Sequence, residues 1–298
     1  MFSFKLIKLE DKNLLQPILS NIPYQLCNFT FTNMIIWGAT YSPAYCMIDG
    51  MLCIISQPEE KKYFNFPLGN TDEKQVIDKL MEYAKSIDIP FTMINITEEM
   101  KAKLEAFYPD KFRFSFSEDY SDYLYNTEDL LSLQGKKYQP KRNHINKFKR
   151  LYPDYKYNSM TKNDIEECFE MHKQWAKDHC EHNQLNETLA NETCATRKTL
   201  FLFEQLDLKG GVLRVDSKVV AFTLGQPINS NTFDVCIEKA FPKYEGAYPM
   251  INQSFLQEQV SRYQFINREE DLGEEGLRKA KLSYYPVRQV RKYSAALM

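Results

Sequence analysis

Apolar residues recur along the first half of the chain at two spacings, alternate positions and every third or fourth position, which predict strands and helices respectively. The strands are predicted at 4–8, 44–48, 51–56, 91–96 and 112–125, and the helices at 12–20, 72–87 and 98–107. Asp49-Gly50 separates two of these strands and is typical of a tight hairpin turn. The predicted order is therefore β, α, β, β, α, β, α, β.

A similar order returns in the second half of the chain. Strands are predicted at 211–215, 219–225, 232–238, 265–267 and 287–295, and helices at 161–178, 191–205, 247–262 and 274–282. The first three strands follow one another through short turns, which predicts an antiparallel meander. We therefore expect an α+β fold of two tandem domains, each a mixed, mostly antiparallel sheet flanked by helices. The expected boundaries are 1–125 and 161–298, with a basic interdomain segment at 126–160.

Composition indicates a folded protein, since 43% of the 298 residues are hydrophobic and 14% are aromatic. No apolar run approaches the ~20 residues that cross a bilayer, and the amino terminus lacks the features of a signal peptide. The seven cysteines are scattered, and none forms a CxxC pair. We expect a cytoplasmic protein with reduced thiols and no integral membrane segment, whose oligomeric state the sequence leaves open.

Cysteine and histidine residues cluster in the first helix of the second half. The cluster comprises Cys168, His172, His179, Cys180 and His182. Its spacing differs from that of structural zinc motifs. Cysteine and histidine on an amphipathic helix are more often buried or capping residues, so no metal site is expected.

The segment 135–150, GKKYQPKRNHINKFKR, has seven Lys or Arg residues and no acidic residue, in a chain of formal net charge −2. Because clustered cations repel one another, such a block favours an anionic partner. The candidate donor- or phosphate-binding residues here are Lys141, Arg142 and Asn143. Two alternatives remain: a solvated amphipathic helix with Ile145 and Phe148 in the core, or a tie to acidic residues at 117–119.

A meander followed by helix, strand, helix and strand resembles the acyltransferase superfamily of GNAT type. In that superfamily the amino terminus of the helix after the meander binds the phosphates of the donor. The corresponding loop is 240–247, and its candidate donor-binding residues are Lys243, Tyr244, Gly246 and Ala247. The alternative is that Gly246 merely permits a tight helix start.

Three segments of the chain resemble a bacterial family related to the carboxy-terminal domain of phosphatidylglycerol lysyltransferase. They are NFTFTNMIIW (28–37), KRNHINKF (141–148) and the ending INREEDLGEEGLRKAKLSYYPVRQVRKY (266–293). The resemblance implies tandem GNAT-like domains, as in the Fem-type peptidyltransferases, with aminoacyl-tRNA as donor. Acyl-CoA is the donor that the wider superfamily implies. The acceptor would be a small molecule, a peptide or a lipid headgroup, and no tightly bound cofactor is expected.

Acyl transfer needs a proton acceptor for the attacking group and a donor of hydrogen bonds to the developing oxyanion. Glu238, Asp271 and Glu269 are candidates for the first role. Lys281 and the backbone N–H groups near Tyr244 to Ala247 are candidates for the second. Alternatively, Asp271 caps the following helix and Lys281 pairs with it. The predicted function is an acyl or aminoacyl transferase without a covalent intermediate, and the alternative is a non-catalytic nucleotide- or RNA-binding protein that retains a GNAT-like fold.

Overall fold

The computed structural model describes residues 2–182 and 187–298, with side chains throughout except at 60, 179–182 and 187–189. Two compact units share the chain. Unit 1 comprises Met1–Tyr123, Glu270–Lys279 and Gln289–Met298, and unit 2 comprises Leu124–Glu269 and Ala280–Arg288. Each unit is thus assembled from segments that are distant in sequence.

The helices and strands alternate along the whole chain. In its first part they are β1 Lys5–Leu6, α1 Lys12–Ser20, α2 Phe31–Ile36, α3 Gly38–Tyr41, β2 Ala44–Ile48, β3 Met51–Ser56, β4 Tyr63–Phe64, α4 Glu73–Ser86, β5 Thr92–Ile96, α5 Glu98–Phe107, β6 Phe112–Phe116 and β7 Asp122–Asn126. Next come α6 Thr127–Ser132, α7 Gln139–Leu151, β8 Lys156–Ser159, α8 Ile165–His182 and α9 Glu187–Phe201. The chain ends with β9 Lys209–Val215, β10 Lys218–Pro227, β11 Thr232–Ala240, α10 Ala247–Phe255, β12 Phe265–Asn267, α11 Glu275–Leu282, β13 Arg288–Val290 and β14 Tyr293–Leu297.

The first sheet has the strand order β1-β2-β3-β4-β5-β14-β6. The predicted hairpin of β2 and β3 is confirmed, with Asp49 and Gly50 at φ 49° and 81° in the turn. β4 runs parallel to β5, and β14 runs antiparallel to both β5 and β6. The last strand of the chain therefore completes the sheet of the amino-terminal unit.

The second sheet has the order β13-β7-β12-β11-β10-β9-β8. Its antiparallel meander of β9, β10 and β11 confirms the prediction. β12 pairs parallel with β11 and antiparallel with β7. The helix α10 packs against β9 and β10 and continues as a π-helical turn, Leu256–Val260. This arrangement brings the carboxyl ends of β11 and β12 to the same edge of the sheet.

Two predicted strands are wrong in extent because each is interrupted. The strand predicted at 112–125 is two strands in different sheets, separated by a helical turn at Glu118–Tyr120 that the Ser117 side chain caps. The strand predicted at 287–295 is likewise divided into β13 and β14. The helices α2 and α3 and the strand β8 were not predicted, since none shows a clear apolar period.

Candidate functional site

Glu238 and Arg268 form an ion pair at the edge of the second sheet. Glu238 lies near the end of β11, and Arg268 follows β12 directly. Because these strands are parallel neighbours, their carboxyl ends bring the two side chains together. Nη2 of Arg268 lies 2.8 Å from Oε1 of Glu238, and Nδ2 of Asn252 in α10 donates to Oε2 at 2.8 Å. Both carboxylate oxygens are therefore engaged.

Lys141 lies beside this pair. Its Nζ atom is 3.9 Å from the centroid of the Tyr284 ring, and the guanidinium of Arg268 is 4.9 Å from the same centroid. Burial of the amine, reinforced by the charge of Arg268, lowers the pKa of Lys141 to about 8. A lysine in this setting exchanges its proton near neutral pH, as a catalytic amine does.

Arg268 has hydrogen-bonding capacity left over. Its side chain is 13% exposed, and Nη1 is buried without a hydrogen-bond partner among the described residues. An unpaired buried guanidinium nitrogen is costly, and a ligand oxygen is a natural partner for it. The group composed of Lys141, Glu238, Arg268 and Tyr284, hereafter the Arg268 site, can therefore hold an anionic or carbonyl oxygen next to a titratable amine.

Lys281 supports the backbone beneath this site. Its Nζ atom donates to the carbonyl oxygens of Arg268 at 2.6 Å and Glu269 at 3.1 Å. Glu269 has φ 56°, and its backbone N–H donates to the Asn267 side chain at 2.6 Å. These contacts fix the turn after β12 and hence the direction of the Arg268 side chain. The oxyanion role of Lys281 stays a prediction.

Asp271 belongs to unit 1, whereas Glu238 and Lys281 belong to unit 2. Its carboxylate is fully buried and accepts hydrogen bonds from Arg278, from Tyr123 at 2.6 Å and from Gly273 at 2.9 Å. Burial on its own would raise the pKa of Asp271, but these donors lower it to about 2. The carboxylate anchors the turn before α11, and its catalytic role stays a prediction.

The predicted phosphate loop adjoins the basic helix α7. Gly246 has φ 87°, and a Cβ atom there would collide with the carbonyl oxygen of His144. Lys147 of α7 pairs with Glu245 at 2.6 Å. In the loop itself, the Ala247 N–H donates to the carbonyl of Tyr244 at 2.9 Å, and Pro249 has no N–H to offer. The first turn of α10 thus offers few backbone donors to a phosphate.

The other predicted anion-binding residues have protein partners. Arg142 donates to the carbonyl oxygens of Leu133 and Gly135 and to the side chain of Gln139. Asn143 accepts from the Gln139 amide at 2.8 Å, and Lys243 lies 5.0 Å from the Phe241 ring. Arg142 therefore fixes the loop before α7. The assignment of these residues to a donor stays a prediction.

A second buried charge cluster lies in unit 1, and sequence reasoning missed it. Lys292 Nζ lies 2.5 Å from Asp122, 3.0 Å from Glu270 and 3.7 Å from the Cys27 sulfur. Burial opposes its charge, but these neighbours raise the pKa of Lys292 well above its usual range. Cys27, Asp122 and Glu270 are close enough together to bind a metal ion. Lys292 already supplies positive charge there, so the cluster is complete without one.

Two members of the predicted cysteine and histidine cluster are buried. Cys168 and His172 are both 0% exposed, and neither ring nitrogen of His172 has a hydrogen-bond partner among the residues that the structure describes. The side chains of His179, Cys180 and His182 lie outside the described residues. Burial, with the nearby charge of Lys239, lowers the pKa of His172 to about 4.

The fold places the chain among tandem GNAT-like proteins. A tandem GNAT protein from the clavulanic acid biosynthesis pathway superposes with a TM-score of 0.50 at 8% identity, over 99% of this chain and 98% of that one. The carboxy-terminal domain of a candidate lysylphosphatidylglycerol synthetase from Agrobacterium fabrum gives a TM-score of 0.68 at 13% identity, over 96% and 91%. The predicted α+β fold of two GNAT-like domains is confirmed.

Residues 20–296 match the family "Phosphatidylglycerol lysyltransferase, C-terminal", and the chain belongs to that family. A conserved protein of unknown function from Bacteroides thetaiotaomicron VPI-5482 is 42% identical, with a TM-score of 0.95 over 100% of both chains. The match to an uncharacterised protein of Mycoplasmoides gallisepticum spans 56% of that relative's length. None of the described helices combines the length and apolar content that crossing a membrane requires. The predicted resemblance is thereby confirmed, and the family supports an acyltransferase-like function.

Proposed function

We propose that this protein transfers an acyl or aminoacyl group from a phosphate-bearing donor, aminoacyl-tRNA or acyl-CoA, to an amine or hydroxyl acceptor. The observation that carries the proposal is the buried Nη1 atom of Arg268, which has no partner among the described residues and lies in a site with Lys141. A cationic hydrogen-bond donor and a titratable amine are the two groups that transfer to a nucleophile requires.

In the proposed reaction Arg268 donates a hydrogen bond to the carbonyl oxygen of the acyl group and stabilises its developing negative charge. The acceptor nitrogen or oxygen bonds to the acyl carbon, and the bond from that carbon to the donor oxygen or sulfur breaks. The neutral amine of Lys141 takes the proton of the acceptor and returns it to the leaving oxygen or sulfur. Glu238 holds the guanidinium in place through their 2.8 Å contact.

Among donors, the geometry of unit 2 favours aminoacyl-tRNA over acyl-CoA. The amino terminus of α10 has few free backbone donors for a diphosphate, because Ala247 donates to Tyr244 and Pro249 has none. The exposed Lys149 and Arg150 of α7, in contrast, offer charge to an extended polyanion. The family description, which names a lysyltransferase, supports the same choice. A cytoplasmic location also remains a proposal.

The test measures transfer from a mixture of labelled aminoacyl-tRNAs and, separately, from labelled acetyl-CoA, to a panel of amines and to phosphatidylglycerol vesicles. Arg268→Lys keeps the charge but removes the free guanidinium nitrogen, and should lower the transfer rate at least about tenfold. Arg113→Lys, at an exposed position of β6, is the matched control and should retain the rate. Absence of transfer from both donors would refute the proposal, and salt-sensitive tRNA binding without transfer would instead support the non-catalytic alternative.

A further inference from the structure

Unit 1 contains a cavity of about 600 Å³ that the transfer chemistry of unit 2 does not use. All of its lining residues belong to unit 1. Its wall includes residues next to Phe64 and Met93, where the parallel strands β4 and β5 pair. Among these wall residues, Asn95 Nδ2 donates to Asn65 Oδ1 at 2.9 Å. The cavity has the size of a small-molecule site.

Several polar groups of the cavity wall have no hydrogen-bond partner among the residues that the structure describes. The groups are the Asn33 amide, the Trp37 indole N–H and the hydroxyls of Tyr41, Tyr63 and Tyr120, none of which bonds to another described side chain or backbone group. Three of these groups are spaced four residues apart across α2 and α3, at Asn33, Trp37 and Tyr41. This helical spacing brings them to a common face. Amides and phenols both donate and accept hydrogen bonds, as a ligand hydroxyl does.

The charged groups of the wall satisfy one another. They are Glu270 and Lys292, whose carboxylate and ammonium lie 3.0 Å apart, and Lys292 also pairs with Asp122 behind the wall. Lys292 is 5% exposed, so its charge is not available to a phosphate or a carboxylate. Glu270 is likewise engaged and would gain little from an added ammonium group. The cavity therefore offers neutral hydrogen bonding.

Aromatic rings occupy the exposed part of the same wall. Tyr41 and Tyr120 are 46% and 57% exposed as whole residues, and the Tyr41 ring lies 6.4 Å from that of Trp37. Phe116 and Tyr293 form a second pair at 5.3 Å. Partly exposed rings beside the Asn33 amide can cover the apolar C–H face of a sugar ring while the amide bonds to its hydroxyls.

We propose that this cavity binds an uncharged ring bearing several hydroxyl groups, a neutral sugar or a group of that chemistry. Asn33 and Trp37 supply hydrogen bonds to the hydroxyls, and the tyrosines pack against the ring. The site is a binding site of unit 1, and the proposal stands whether or not the Arg268 site is catalytic.

Saturation-transfer NMR on the full chain tests the proposal with the neutral hexoses D-glucose, D-galactose and D-mannose. D-glucosamine supplies the cationic counterpart and glucose 6-phosphate the anionic one. At least one neutral hexose should bind with a dissociation constant of roughly 1 mM, the value expected for a ligand of this size. It should bind more tightly than either charged analogue. No signal from any hexose, or tighter binding of a charged analogue, overturns the proposal.

Two variants locate the bound sugar. Asn33→Ala and Trp37→Phe each remove one hydrogen-bonding group, and each should weaken hexose binding about fivefold. Alanine suits α2, and phenylalanine keeps the ring, so neither variant should change the melting temperature strongly. Asn13→Ala, an exposed position of α1, is the matched control and should leave binding unchanged. Equal binding by Asn33→Ala, Trp37→Phe and the parent protein would overturn the assignment to this cavity.

Discussion

The Nζ atom of Lys292 lies 2.5 Å from Oδ1 of Asp122, and these side chains are only 5% and 0% exposed. Glu270 completes the group at 3.0 Å from the same ammonium. One cation thus supports two carboxylates in the interior of unit 1. Removing one member of a buried ion pair leaves the others uncompensated, which costs more than the pair itself contributes.

Lys292→Met should therefore lower the free energy of unfolding by about 3–5 kcal/mol at pH 7.5. Without the ammonium, burial raises the pKa of Asp122 and Glu270 above the values in the unfolded chain. The folded variant therefore binds more protons than the unfolded one, and its loss of unfolding free energy relative to the parent should shrink as the pH falls to 5.5. Urea denaturation at pH 7.5 and pH 5.5 measures the free energy of unfolding of the variant and the parent. Lys149→Met on the exposed face of α7 is the control, and an equal loss in both variants would contradict the prediction.

The parts of the fold that local signals specify were predictable from the sequence. Asp49-Gly50 fixes the β2–β3 hairpin, and short polar turns fix the meander. The position of β14 between β5 and β6 depends on pairing across the length of the chain, for which a single sequence has no local signal. The break between β6 and β7 was missed because a single capped turn separates two apolar runs.

Part of the candidate site was also predictable, because two of its residues belong to local sequence signals. Lys141 stands out within the basic block and Glu238 at the end of the meander, so both were candidates. Arg268 is one charged residue in a run of charges, and its importance depends on the parallel pairing of β11 and β12 and on its burial. The Lys292 cluster depends on residues from three distant segments and has no sequence signature.

His172 should make the protein sensitive to acid. Its pKa is lowered from 6.5 to about 4 by burial, so the unfolded state binds a proton more readily between these values. The stability that a neutral His172 contributes is complete above pH 6.5 and is lost as the pH falls toward 4. His172→Met should remove on the order of 3 kcal/mol of that loss at pH 4.

The measurement is urea denaturation of the parent and the variant at intervals from pH 7 to 4. His144→Met, at an exposed position of α7, is the matched control and should follow the parent. If the unfolding free energy of His172→Met fell as steeply with decreasing pH as that of the parent, groups other than His172 would cause the loss of stability in acid.

The transfer rate should depend on pH through Lys141. If its neutral amine accepts the proton, the rate should rise about tenfold per pH unit below the pKa of about 8 and level off above it. Lys141→Arg keeps a cation over the Tyr284 ring but cannot lose its proton, and should show a low rate without this limb. Steady-state rates from pH 6 to 9.5 provide the measurement, and Lys218→Arg, at an exposed position of β10, is the control. If Lys141→Arg showed the same rise of rate with pH, the proton would be accepted by a group other than Lys141.

Gly246 and Gly276 should respond in opposite directions to the same substitution. Gly246 has φ 87°, and a Cβ atom there would collide with the carbonyl oxygen of His144, so Gly246→Ala must either strain the turn or separate α10 from α7. We expect a loss of at least about 2 kcal/mol in the free energy of unfolding. Gly276 lies within α11 with no atom near its missing Cβ, and Gly276→Ala should stabilise by about 0.5–1 kcal/mol. Since Lys141 lies on α7, a displaced helix should also reduce transfer in Gly246→Ala alone. Equal stability of the two variants would contradict the close approach of α7 to the turn.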